Sequence, residues 1–278
     1  QCAVLTGGNT ALREERANTV ALGLTTTPSF LPGFTGSLDY YKIDLKGTIG
    51  AVPLGVTLQR CLDTGAEQFC SQIVRSAGGT LFGTNIAAGG YINGTSVNIG
   101  AGVTSGVDVQ LDYRAPLPDW GGRGWGRAGV SMAGSYLIDA KTTPLPGEAE
   151  YDCAGLFGPQ CQTINPRWRH TLRLTWETPW DVTLSAAWRH FGGAKLETDT
   201  NEPTIGQGST TAFNHTLPSR DWYDAAMVWT PNQVLTIRAG VNNLFDTDPP
   251  IVNALIAGTG LPNTYPSYDL LGRRFFFG

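Results

Sequence analysis

The chain has 278 residues, of which 41% are hydrophobic and only 15% are charged, whereas soluble domains carry a charged share of roughly 25%. The formal net charge is −4, without the basic excess of a nucleic-acid binder. No run of about 18 apolar residues predicts a membrane helix. Together with 36 glycines, this composition leaves a soluble all-β protein or a β-barrel in a membrane.

Alternation of apolar and polar residues with a period of two predicts nine β-strands along the chain. The first four are predicted around residues 18–25, 34–40, 107–114 and 125–138. The other five are predicted around residues 168–177, 182–189, 223–229, 235–245 and 268–278.

The polar sides of these strands carry many charges. Burying so many charges in a packed sandwich core would have a large desolvation cost. We therefore expect the charges to face either a wet lumen or a polar partner, and we assign Asp108, Asp112, Arg114, Arg173, Arg189 and Arg238 to the lumen.

The connections between the predicted strands alternate in length. Short links lie at 28–33, 115–124, 178–181 and 231–232, and long ones at 47–102, 139–165, 193–220 and 246–267. Long structureless loops are uncommon in compact soluble domains. Outer-membrane barrels, in contrast, have short periplasmic turns and long outer loops. Tryptophans beside the short links fit an interfacial girdle: Trp120, Trp125, Trp176, Trp180 and Trp229. The sequence thus predicts an antiparallel transmembrane β-barrel.

All five cysteines lie outside the predicted strands. Cys61 and Cys70 share one long loop, and Cys153 and Cys161 share another. Two local disulfides are predicted, each stabilising its loop by about 2 to 3 kcal/mol in an oxidising compartment. Cys2 is left over, and either its partner lies upstream of residue 1 or it is a free thiol. Neither pair has the spacing of a zinc site.

Aromatic and polar residues of the long loops are the candidate ligand contacts, since aromatic faces stack on sugars and on apolar ligands. These candidates are Tyr91, Tyr151, Phe157, Phe213, His215 and Tyr265. The alternative for each of them is ordinary loop packing. The three histidines lack metal spacing, and the sequence has no catalytic motif. No metal, cofactor or enzymatic activity is therefore predicted.

The segment 242–246 is predicted to end a strand and begin a long loop. Asn243 and Asp246 are expected to cap and turn the chain there, and Leu244 and Phe245 are expected to face lipid or the interface.

Several segments resemble TonB-dependent outer-membrane receptors. The resemblance is most specific in RAGVNNLFDTDPP at 238–250 and YDLLGRRFFFG at 268–278. It extends to LREERANT at 12–19, SLDYYKI at 37–43 and GVDV at 106–109, and so spans essentially the whole chain.

The resemblance implies a 22-stranded barrel that encloses a plug domain carrying the TonB box. Residues 1–278 are then expected to form the C-terminal part of the barrel domain, about its last nine strands, without the plug or the earlier strands. The implied partners are outer-membrane lipid, the TonB complex through the missing plug, and a scarce small-molecule nutrient. That nutrient is expected to be an oligosaccharide or a ferric siderophore, with cobalamin also left open. Nucleic acid is not an expected partner. The alternative function is a stand-alone β-sheet protein that binds carbohydrate or has a structural role.

Overall fold

The computed structural model describes residues 3–50, 52, 54–81, 90–98, 100–119, 121, 124–143, 145, 149–201, 205, 215–253 and 263–278. The chain divides into two compact units. The first comprises residues 1–18, 44–102 and 142–149, and the second comprises residues 19–43, 103–141 and 150–278. No helix in these described ranges is long and apolar enough to cross a membrane.

The described elements are almost all β-strands. In chain order they are β1 (Ala3–Leu5), β2 (Arg16–Thr26), β3 (Phe34–Lys46), β4 (Ile49–Gly50), α1 (Leu54–Thr64), α2 (Glu67–Cys70), β5 (Ile73–Val74), β6 (Tyr91–Asn93), β7 (Val97–Asn98), β8 (Ala101–Pro116), β9 (Arg127–Thr143), β10 (Tyr151–Asp152), β11 (Leu156–Phe157), β12 (Trp168–Glu177), β13 (Val182–Phe191), β14 (Ala194–Leu196), a 3-10 turn (Glu197–Asp199), β15 (Thr216–Leu217), β16 (Arg220–Trp229), β17 (Ile237–Asn242) and β18 (Arg274–Phe277).

Nine strands form one large sheet in the order β2, β3, β8, β9, β12, β13, β16, β17 and β18, and β10 pairs with β9 beside this path. Apart from the short strands of the loops, strands that are neighbours in this path also follow one another along the chain. The pairs from β9 to β18 are antiparallel. The prediction of nine strands is confirmed, with further short strands lying between them in the chain. The predicted bounds of the strand at 168–177 coincide with β12, whereas β8 and β9 extend well beyond the predicted segments.

The register assigns each residue of β9 to β18 to one of two faces. One face, which we call the apolar face, contains the row Met132, Leu172, Trp188 and Tyr223 and the row Val130, Leu174, Ala186, Ala225 and Val241. The opposite face, which we call the polar face, contains the row Ser131, Arg173, Ala187 and Asp224 and the row Ala133, Thr171, Arg189 and Trp222. In these rows, alternation along each strand separates apolar from charged side chains, as a period of two requires.

Two predicted strands are shorter than the alternation suggested. β17 ends at Asn242 and does not reach Phe245, because Asn243 adopts a left-handed conformation with φ +54°. β18 begins at Arg274 and does not include Tyr268, whose ring packs instead against Phe191 and Trp222.

Asn243 builds a tight turn at the end of β17. Its side chain is fully buried, its Nδ2 donates to the carbonyl oxygen of Thr247 at 3.0 Å, and its Oδ1 accepts the N–H of Thr247 at 2.8 Å. Asp246, with φ +58°, accepts the N–H of Arg273 at 2.7 Å. Leu244 and Phe245 are exposed. The predicted capping and turning role of Asn243 and Asp246 is confirmed.

Loops of the second unit have a hydrophobic core of their own. It is formed by Phe157, Ile164, Ala194, Leu196, Leu217, Trp222, Val252, Tyr265 and Tyr268. Within these loops β11 pairs in parallel with β14, and β14 pairs antiparallel with β15. The described parts of these long loops are therefore packed structure, although they lack any sequence period that would have predicted it.

Glu197 is a buried carboxylate within these loops. Its Oε1 accepts the N–H of Gln160 and its Oε2 accepts the N–H of Cys161, both at 2.9 Å. Burial raises the pKa of Glu197, and the two amide donors oppose that rise. Gly158 lies so close that a Cβ at that position would overlap the Glu197 carboxyl group. Glu197 thus holds the segment that contains Cys161.

Both predicted disulfides are present. Cys153 and Cys161, with Cα atoms 5.6 Å apart, belong to a second buried cluster that includes Tyr151. Cys61 and Cys70 join α1 to α2 in the first unit. Cys2 lies outside the described residues.

The first unit contains two small sheets. β6 pairs in parallel with β1 and antiparallel with β5, and β4 pairs antiparallel with β7. The Asn98 side chain connects two segments of this unit, since its Nδ2 donates to the carbonyl oxygens of Arg13 and Gly47 and its Oδ1 accepts the N–H of Arg13.

Replacing Asn243 tests the turn at the end of β17. Asn243→Ala removes two buried hydrogen bonds and places a Cβ-bearing residue without a compensating side chain at positive φ. We expect the free energy of unfolding to fall by about 2 to 3 kcal/mol, measured by urea unfolding of the complete protein in detergent micelles. Asn243→Gly should recover part of the loss, and Asn242→Ala, one residue earlier in β17, should change little. Equal effects at 242 and 243 would contradict the assigned role.

Replacing Glu197 tests the anchor of the disulfide loop. Glu197→Gln leaves one acceptor oxygen and turns an NH₂ group towards the second backbone N–H. We expect local protection to fall by about 1 to 3 kcal/mol, seen as faster amide hydrogen exchange over residues 158–163. Glu150→Gln, at an exposed site, is the matched control. Unchanged exchange in Glu197→Gln would show that the carboxylate does not hold this segment.

Candidate functional site

The polar face of the sheet bears a pocket of about 470 Å³. The sheet contributes charged, polar and aromatic residues, and the segment 267–269 from the loop after β17 also lines it. Its lining from the sheet includes Asp108, Ser135, Arg169, Arg189, Phe191 and Trp222, together with His170 and His190.

Arg189 forms the central ion-pair network beside this pocket. Its Nε and one terminal nitrogen donate to both oxygens of Asp224 at 2.8 and 3.0 Å, and it donates to Asp269 at 2.9 Å. Its guanidinium also lies 5.6 Å from the ring centre of Trp222. Asp269 is nearly buried and also faces Arg274 at 3.5 Å. Arg189 therefore fixes the segment 267–269, which we call the covering segment, against the sheet.

Arg169 and Asp108 are the charged pocket residues without an ion-pair partner among the described residues. The register places Arg169 between Ser135 of β9 and Phe191 of β13 on the polar face. The guanidinium of Arg169 provides charge and a planar set of donors, and Phe191 and Trp222, which line the same pocket, provide aromatic surface. This part of the pocket can hold an anionic, partly aromatic ligand.

The other predicted charged residues also lie on the polar face, closer to the short turns. Asp112 and Arg114 line a small pocket of about 50 Å³ together with Arg127 and Glu177. Arg173 donates to Ser185 at 3.4 Å, and Arg238 is paired with Val228 in the register. The structure thus brings the six predicted residues to one face, in two groups along its length.

The predicted loop contacts have different environments. Tyr151, Phe157 and Tyr265 are buried, and the rings of Phe157 and Tyr265 meet edge to face at 6.1 Å. Burial raises the pKa of Tyr265 to about 12. These three rings build the loop cores, which favours packing over ligand contact at those positions.

The remaining predicted contacts are spread over the molecule. Tyr91 lies in β6 of the first unit. His215 is about half exposed and its Nδ1 is hydrogen-bonded to Asp199. Phe213 lies outside the described residues.

Several of the pocket residues, including Arg169 of β12, were not among the predicted site residues. Trp222 lies between Asp221 and Tyr223 in β16, and Phe191 ends β13. Asp269 reaches the site from a loop, through its ion pair with Arg189. Alternation could have assigned Trp222 to the polar face. Within the described ranges, no group of three or more His, Cys, Asp or Glu side chains could hold a metal ion.

Comparisons with known proteins agree with this geometry. The family model described as TonB dependent receptor-like, beta-barrel matches residues 1–244. A search of curated proteins found no match.

Several solved structures share the fold. A mutant of the ferric enterobactin receptor of Pseudomonas aeruginosa is 18% identical with a TM-score of 0.61, over 99% of this chain and 32% of that one. The siderophore receptor PirA of Acinetobacter baumannii is 14% identical with a TM-score of 0.55, over 98% and 32%. The ferric-catecholate import receptor Fiu of E. coli K12 is 13% identical with a TM-score of 0.51, over 97% and 28%. The chain therefore spans about a third of the length of these receptors.

The family match covers most of the chain, and the fold agrees with it. It decides for a receptor barrel over a stand-alone β-sheet protein. The chain belongs to the TonB-dependent receptors, transport receptors of the Gram-negative outer membrane and not enzymes, and it forms part of their β-barrel.

Proposed function

We propose that this chain is the wall of a TonB-dependent receptor that imports a ferric siderophore across the outer membrane. Residues 1–278 would form the C-terminal part of the barrel domain, with about the last nine of 22 strands. The polar face would line the lumen and the apolar face would contact lipid. The TonB complex would act through a plug domain of the whole receptor.

One observation carries the choice of ligand. Arg169 has no ion-pair partner in the described ranges, and it lines the same pocket as Phe191 and Trp222. Ferric siderophores are commonly anionic, and catecholate types are aromatic, so a cation beside aromatic rings suits them. The three solved structures described above are named as a ferric enterobactin receptor, a siderophore receptor and a ferric-catecholate import receptor, which supports the same choice. An oligosaccharide would not require the unpaired guanidinium.

Other parts of the polar face have supporting roles in this proposal. Arg189 is already neutralised by Asp224 and Asp269. It would therefore position the covering segment 267–269 and would not itself bind the ligand. Asp108, on the other side of the pocket, would disfavour anions in its vicinity and restrict where the ligand's negative charge can lie.

Uptake by the complete receptor tests the substrate class. Cells that lack their own siderophore receptors and express the complete gene should accumulate radioactive iron from a ferric siderophore, and only when TonB is present. The same cells should gain no growth on oligosaccharides as carbon source. Growth on an oligosaccharide without iron uptake would replace this proposal by the sugar alternative.

Replacing Arg169 tests the pocket. Arg169→Gln removes one charge-assisted hydrogen bond, worth about 1.5 to 3 kcal/mol, so siderophore affinity should fall by roughly tenfold or more. The measurement is equilibrium binding to the purified complete receptor. Arg238→Gln, on the same face but near the short turns, is the matched control and should bind like the unmodified receptor. Equal affinities for both variants would remove Arg169 from the site.

A further inference from the structure

The free charges of the polar-face pocket have opposite signs. Arg189 is occupied by Asp224 and Asp269. This leaves Arg169 and Asp108 as the charged pocket residues without an ion pair in the described part of the chain. Arg169 is exposed and Asp108 is partly exposed, so a ligand can reach both side chains. The pocket therefore offers a ligand one cation and one anion.

Strand register places these two charges in one row across the polar face. Arg169 of β12 is opposite Ser135 of β9. Where β8 turns into β9, the backbone N–H of Leu117 donates to the carbonyl oxygen of Gly126. Residue 108 lies nine positions before 117, and residue 135 lies nine positions after 126, so Asp108 is opposite Ser135 in this antiparallel pair. Asp108 and Arg169 therefore flank Ser135, with Cα atoms two strand spacings or about 10 Å apart.

A second carboxylate extends the row on its acidic side. The backbone N–H of Arg114 donates to the carbonyl oxygen of Gly33 just before β3. Six positions along each antiparallel strand from that bond bring Asp39 of β3 opposite Asp108 of β8. Asp39 has no ion-pair partner within the described ranges. Like charges directly opposite each other in a sheet are unfavourable, so a cation between or above these carboxylates would be stabilised.

A second guanidinium extends the row on its basic side. Phe191 of β13 is opposite Arg169 and also opposite Arg220 of β16. Arg220 donates to the carbonyl oxygens of Asp248 and Ser219, and neutral acceptors leave its positive charge in place. The row is therefore acidic at β3 and β8 and basic at β12 and β16, with an aromatic ring between the two cations.

The histidines of the pocket do not change this division of charge. The register assigns His170 and His190, which also line the pocket, to the apolar face, where His190 Nδ1 is hydrogen-bonded to Asp221. A purely anionic ligand would satisfy Arg169 and place negative charge near Asp108. A purely cationic ligand would be repelled by Arg169. Only a ligand that carries both signs satisfies both sides of the row.

We infer that the pocket selects a ferric siderophore with separated charges, whose anionic iron-chelating part lies over Arg169 and Phe191 and whose protonated amine lies at Asp108 beside Asp39. This inference rests on the proposed function and specifies its substrate class. The ammonium group gives Asp108 the charged partner that the described residues do not supply. Ser135, between the two charges, offers a hydroxyl to the linker of the ligand. The two charges of the ligand then lie one to two strand spacings apart, about 5 to 10 Å.

Two synthetic chelates test the charge separation on the complete, purified receptor. Both are ferric tris-catecholates on the same backbone, and they differ only in a pendant primary amine that is free in one and acetylated in the other. The free amine is protonated at about pH 7. The free-amine chelate should therefore bind about tenfold more tightly in an equilibrium titration of tryptophan fluorescence. Tight but equal binding of the two chelates would overturn the inference and leave the siderophore proposal intact. Binding of neither would contradict the siderophore proposal, and the inference with it.

Variants assign each charge of the ligand to its side of the row. Asp108→Asn should weaken only the free-amine chelate, about tenfold, and so abolish the preference. Arg169→Gln should weaken both chelates alike and keep the preference. Asp112→Asn, on the same face of β8 but closer to the short turn, is the matched control and should change neither affinity. Folding is checked by heat-dependent gel migration, and if Asp108→Asn does not fold, the comparison of the two chelates on the unmodified receptor decides. A preference that persists in folded Asp108→Asn would refute the amine site.

Discussion

A sheet that crosses hydrocarbon must pair its backbone N–H and C=O groups within the protein, because lipid offers them no partner. From β9 to β18 this pairing is antiparallel, with a register that fixes the face of each side chain. The consequence is clearest at the end of β13. Arg189 and His190 are neighbours in sequence, yet one binds Asp224 on the polar face and the other binds Asp221 on the apolar face. Strand pairing thus places these two adjacent residues in separate hydrogen-bond networks on opposite faces.

The same ladder extends its order into the loops through a few side chains. Asp224 accepts hydrogen bonds from Arg189 and from the backbone N–H of Asn243, which ties the β13–β16 pair to the turn that ends β17. Arg189 also holds Asp269 of the following loop. Exposed ion pairs contribute little to stability. Asp269 is nearly buried, however, so loss of its partner would leave a desolvated carboxylate. The ion pair between Arg189 and Asp269 therefore holds the segment 267–269, and removing Arg189 would leave Asp269 buried without this partner.

The sequence could predict features that depend on residues close together in the chain, but not contacts between residues that are far apart in it. Period-two alternation located nine strands and assigned Asp108 and Arg173 to the same type of face. This was possible because successive side chains of a strand point to opposite faces, so each strand can be assigned from its own residues. Cysteine spacing predicted both disulfides, because each pair closes a short local loop. The packing of Phe157 and Tyr265 was beyond such reasoning, because 108 positions of chain separate them and no period runs through the loops. For the same reason Asp269 could not be connected with Arg189.

On the apolar face, the row of His170, His190 and Asp221 shows that register, more than residue type, determines which side chains meet. His170 and His190 occupy apolar-face positions in their strands, a local anomaly that the sequence does display. Their meaning appears only when β12, β13 and β16 are aligned and Asp221 joins the row. A one-residue slip in β13 would exchange the faces of Arg189 and His190 and destroy both networks at once. At a fixed register, a substitution on one face leaves the other face unchanged. An insertion within β13 shifts the register and changes both faces. Changes that preserve the register are therefore confined to substitutions within the strands and to changes of length in the loops.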